Sequence, residues 1–90
     1  MDTLDPRRRR LLFRATHRGT HETDILLGEY VAPRLAAMDA TELDALEAVM
    51  ELPDVDMADW LTGRRPIPDG EDYALLRIIA AEALARAGAR

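Results

Sequence analysis

Apolar side chains recur along this 90-residue chain at intervals of three and four, in runs parted by glycine, proline and short acidic segments, which is the pattern of amphipathic helices. A first helix is predicted from Pro6, suited to the first helical position, through Leu11, Leu12 and Ala15 to about Arg18, with Gly19 as a left-handed stop. Thr20 should cap a second helix. Its first turn holds Glu22 and Asp24, where the helix dipole favours negative charge, and Leu27, Val31, Leu35 and Met38 form its buried stripe. Pro33 falls inside that stripe, and a straight, regular helix would cost about 3 kcal/mol there, so the helix should bend or end early; a kink is expected. Asp39 and Glu42 have the spacing of a capping box before Leu43, Leu46, Val49 and Met50, a third helix that stops ahead of Pro53. Asp54 is expected to cap a short fourth helix with Val55, Met57, Ala58, Trp60 and Leu61, ended by Gly63. After the loop GRRPIPDG, Asp69 or Gly70 introduces a fifth helix bearing Leu75, Leu76, Ile78, Ile79, Ala83 and Leu84, with Glu71 and Asp72 in its first turn.

Each predicted helix has one apolar stripe that must be covered, so residues 1–90 should form a single all-α domain, a compact bundle of about five short helices, with residues 1–5 and 87–90 expected to fray. Composition agrees. Apolar residues make up 48% and charged residues 32% of the chain, aromatics only 4%, and no apolar run approaches the roughly 20 residues of a membrane span. The arginine run before LLF is too short in its apolar part for a secretory signal of roughly 7 to 15 apolar residues, and Asp2 and Asp5 speak against a transit peptide, so a cytoplasmic protein is expected.

The available chemistry is narrow. Cysteine, serine and lysine are absent, which removes thiol and serine nucleophiles, cysteine-ligated zinc and Schiff-base amines; all twelve basic side chains are arginines. His17 and His21 are four apart, but Gly19 between them parts the helical face they would share, and they read as surface histidines rather than metal ligands. Acid pairs such as Asp54 and Asp56, or Asp69, Glu71 and Asp72, sit at helix starts and read as dipole-favoured positions rather than as general acids and bases. No catalytic residue is assigned, and the chain is not expected to be an enzyme. The run Arg7 to Arg10 suggests phosphate contacts, yet the net charge is −5 and stacking aromatics are scarce, so it reads as a solvated helix face. Trp60 reads as a core anchor. The stretch HRGTHETD leaves two readings open: a local ion pair between Arg18 and the acids Glu22 and Asp24, or a rigid corner that presents them to a partner.

RGTHETD contains RGxxE followed two residues later by Asp, directly after a short N-terminal helix, and it resembles the signature of the succinate dehydrogenase assembly factors, the small FAD assembly or flavinylation factors of bacteria and mitochondria. Met38 to Glu42 and PDVDMADWL, with its Trp60-Leu61 pair, extend the likeness over roughly residues 7 to 80. The resemblance implies a five-helix bacterial, cytoplasmic protein, a monomer when free. Its partner would be the flavoprotein subunit of succinate dehydrogenase, and in some bacteria that of fumarate reductase, in which it promotes covalent attachment of FAD to a histidine. It also implies that Arg18, Gly19 and Glu22, with Asp24 as a further member, form the partner-binding patch, and that FAD is handled through the partner rather than bound tightly by this chain. Without the resemblance, the competing expectation is a small helical nucleic-acid-binding or antitoxin-like protein, or a plain structural subunit.

Overall fold

The computed structural model describes residues 4–88 as five α-helices: α1 (Pro6–Thr16), α2 (His21–Arg34), α3 (Ala40–Met50), α4 (Asp54–Leu61) and α5 (Ala74–Gly88). Among the described residues there is no strand, and no helix is long and apolar enough to cross a membrane. α2 is the hub, packed against α1 on one side and against α4 and α5 on the other, while α3 closes the bundle against α1 and α5. The Cα radius of gyration is 12.6 Å, near the roughly 12 Å expected of a compact chain this long.

The predicted stripes converge on one core. Leu27, Val31 and Leu35 of the second stripe are fully buried with Leu11, Ala15, Leu46, Met57, Leu76 and Ile79, and Met38 and Trp60 join them. Trp60 meets Tyr73 edge-on with ring centroids 5.6 Å apart, so the tryptophan belongs to the core as expected. Val55 and Leu84 lie on the outward faces of α4 and α5, 77% and 75% exposed.

Several boundaries differ from the sequence reading. α1 ends at Thr16 rather than Arg18, because His17 has already left helical geometry; its ring stacks on Phe13 and its Nδ1 lies 2.8 Å from the Phe13 carbonyl. α2 runs through Pro33 and stops one residue later, passing into a 3₁₀ turn over Leu35–Ala37, which realises the early end rather than a kink within a longer helix. Pro53, not Asp54, is the N-cap of α4; Asp54 is its first helical residue and gives no capping hydrogen bond. A 3₁₀ turn, Glu71–Tyr73, precedes α5. At the ends of the described chain Leu4 packs on the core, Asp5 caps α1 and α5 continues to Gly88; of the termini expected to fray, residues 1–3 and 89–90 lie outside the described residues.

The arginine run is not uniformly solvated either. Arg7 reaches across to α3 and pairs with Asp44 at 2.6 Å and Glu47 at 2.8 Å. Arg8 donates to the carbonyls of Leu35 and Met38, where the chain leaves α2, as well as to Asp5. Half of the run therefore fastens α1 to its neighbours.

Candidate functional site

The corner begins with two opposed local signals. Gly19 takes a positive φ of +105°, a conformation that side-chain-bearing residues rarely adopt, and this lets the chain reverse between α1 and α2. Thr20 then caps α2 by accepting from the Thr23 N–H. The Arg18 N–H, which the turn leaves without a helical acceptor, donates to Asp24 Oδ1 at 2.6 Å, so Asp24 ties the end of the turn to the first turn of α2.

The Arg18 side chain goes inward rather than outward. It is only 9% exposed, with Nη1 donating to the Met50 carbonyl at 2.6 Å and Nη2 to the Leu52 carbonyl at 2.7 Å. Its Nε lies 2.8 Å from Asp54 Oδ1, close enough for an ion pair, but its N–H is not aimed at that oxygen and makes no hydrogen bond. The cause lies in α3, which has no basic residue in its last turn to answer its free carbonyls and the negative end of its dipole. Arg18 supplies that charge from another element, assisted by Arg14, which donates to the Met50 carbonyl at 3.3 Å and pairs with Glu51 at 2.8 Å. A planar fork can serve two carbonyls at once where an ammonium could not hold the same geometry.

The four residues singled out from sequence therefore divide. Arg18 and Asp24 are brought together through the backbone N–H and hold the corner's shape, while the Arg18 guanidinium fastens the corner to the α3–α4 connection. Gly19 is exposed, with open space around the position a Cβ would take. Glu22 is exposed on the other side, and among the described residues it has neither a hydrogen-bond nor an ion-pair partner. Of the two readings left open for HRGTHETD, an ion pair between Arg18 and Glu22 does not form, because the guanidinium is already held by the α3 end. Sequence reasoning missed Asp54 and the Met50 and Leu52 carbonyls as partners of Arg18; the available signal was the bare, acid-rich end of α3 followed by Pro53.

Two clefts flank the corner. One, of about 300 Å³, is lined by Phe13, His17, Pro53 and Asp54 together with Arg14 and Arg18. The stacked pair of Phe13 and His17, centroids 3.9 Å apart, forms an exposed aromatic step on its wall. The other, of about 390 Å³, is mostly apolar; it lies between Leu26 of α2, the Trp60–Gly63 end of α4 and the alanine-bearing face of α5, with Glu22 at its α2 side. His21 is exposed, and among the described residues no three His, Asp or Glu side chains are grouped to hold a metal ion.

Residues 9–83 match the profile of the family described as flavinator of succinate dehydrogenase. The chain is 46% identical over 87 residues to the FAD assembly factor SdhE of Acetobacter pasteurianus, covering 97% of this chain and 80% of that protein. It is 39% identical over 59 residues to the mitochondrial succinate dehydrogenase assembly factor 2 of Mycosarcoma maydis, and 34% identical over 71 residues to that of Candida glabrata. The alignments take in 66% and 76% of this chain but only 25% and 46% of those longer mitochondrial proteins.

Proposed function

This chain belongs to the family of flavinators of succinate dehydrogenase, and from that premise we propose that it engages the flavoprotein subunit through the α1–α2 corner. It is an assembly factor that promotes covalent attachment of FAD to the flavoprotein. The observation that carries the assignment to the corner is the division within RGxxE: the arginine is drawn inward and locks the turn, which leaves Gly19 and the unpartnered carboxylate of Glu22 displayed on a rigid edge. Gly19, bare of a side chain, allows close approach of another backbone, and Glu22 can accept hydrogen bonds from a partner N–H or cation.

The chain acts as a chaperone rather than a catalyst of the bond. It holds the flavoprotein in the conformation that aligns FAD with the acceptor histidine, and the flavoprotein completes the linkage itself. The absence of serine, cysteine and lysine supports this reading, since the commonest nucleophilic groups are missing. FAD is then reached through the partner, with no tight site on this chain. The fumarate reductase flavoprotein is a second client, and the free protein is a cytoplasmic monomer.

The test is covalent flavin in the succinate dehydrogenase flavoprotein, read as in-gel fluorescence after production without this chain, with it, or with its Gly19→Arg or Glu22→Ala forms. Fluorescence should appear with the wild-type chain and fall by about tenfold or more with Glu22→Ala, as for loss of a central interface contact, and also with Gly19→Arg, which both blocks and strains the corner. Equal fluorescence in every lane sinks the proposal.

A further inference from the structure

Glu22 belongs both to the corner and to the apolar cleft between α2, α4 and α5. The cleft volume of about 390 Å³ lies in the range that takes a compact apolar group, roughly 300–1,000 Å³. Its α5 wall is built from Ala80, Ala83 and Ala87, whose small side chains let another chain come near the helix, and Leu84 stands at its rim 75% exposed. At the α2 side the only carboxylate of the lining, Glu22, carries a negative charge that no arginine of the described residues answers.

An apolar slot closed at one end by an unanswered carboxylate is complementary to a large apolar side chain with a cation next to it. We propose that this cleft receives such a segment of the flavoprotein, the apolar side chain seated against Trp60 and Leu84 and the neighbouring Arg or Lys paired with Glu22; this rests on the flavinator reading and extends the contact from the corner into the cleft. A second copy of the chain is a poorer occupant. The arginines next in sequence to its exposed Phe13 and Ile78 are already engaged, Arg14 by Glu51 and Arg77 by the carbonyls of Pro68 and Gly70.

Trp60 is the chain's only tryptophan and lines the cleft, so a 5-fluorotryptophan-labelled chain reports on it with a single ¹⁹F resonance. The probe is the flavoprotein subunit purified without FAD. The resonance should move on addition of the subunit, and Leu84→Asp should weaken binding by about tenfold or more, whereas Ile78→Asp, on α5 but outside the cleft, should stay within about twofold. Glu22→Gln should weaken binding and reduce its salt dependence. Thermal melts matching the wild type show that the exposed substitutions leave the fold intact. An unmoved resonance with wild-type affinity for Leu84→Asp overturns the cleft proposal while wild-type-dependent flavinylation still stands. A shift that appears without the subunit, grows with concentration and is lost in Leu84→Asp makes the cleft a self-association surface and also overturns it. If the wild-type chain leaves flavin attachment unchanged, the flavinator reading fails and the cleft proposal fails with it.

Discussion

At the scale of single residues, Arg18 shows how a motif's most eye-catching side chain can serve the fold. Its identity was legible in the sequence, but its direction was not, because a guanidinium on a turn can reach outward to a partner or inward to any carbonyl within its length. The deciding fact is non-local: the end of α3 presents the Met50 and Leu52 carbonyls with no cation of its own. Arg18→Ala should therefore destabilise the protein by about 2–3 kcal/mol, the loss of two charge-assisted hydrogen bonds, lowering the melting temperature by roughly 10 °C or more. Arg18→Lys should recover only part of that, since one ammonium cannot reproduce the planar fork. If Arg18→Ala melts like the wild type, the inward assignment is wrong. Gly19 behaves differently, because any side chain at φ +105° is strained even though the surrounding space is open.

At the scale of elements, the caps of α2 and α3 were legible within three or four consecutive residues, whereas the end of α1 and the cap of α4 were not. The capping box of Asp39 and Glu42 forms in both directions, and Thr20 caps α2 as its spacing indicated. Thr20→Ala should cost about 1 kcal/mol, measurable by denaturant midpoint. Pro53 rather than Asp54 stands at the cap of α4, with no side-chain capping bond, and α2 ends at Arg34, one residue after Pro33. Asp5 gives α1 a dependence on acidity. The Arg8 backbone N–H, with lesser help from the Arg8 guanidinium, holds its carboxyl below the ordinary carboxylate value. A carboxyl with a lowered folded-state pKa stabilises fully above its unfolded value and loses that contribution as pH falls through the lowered one. The first turn of α1 should thus loosen below about pH 4 in the wild type, and Asp5→Asn should show a flatter response in ¹⁵N chemical shifts of residues 6–9.

At the scale of the whole molecule, the all-α class and the core were legible because five amphipathic stripes leave few ways to cover one another. The mutual placement of the corner and its two clefts was not, since it depends on α4 and α5 closing against α2. Arginines do much of the fastening between elements: Arg7 and Arg8 join α1 to α3 and to the end of α2, Arg18 joins the turn to the α3–α4 connection, and Arg34 joins α2 to Glu82 of α5. The part-buried bond from the Arg18 N–H to Asp24 lies in the same turn, next to the exposed Gly19 and Thr20. Amide hydrogen exchange should register this: the Arg18 proton should exchange at a rate set by opening of the entire bundle, while the neighbouring Gly19 proton exchanges as a loop does. A residue in a non-helical turn would then time the same cooperative event as the buried amides of α2, and an Arg18 amide that exchanges as fast as Gly19 would show that the corner opens on its own.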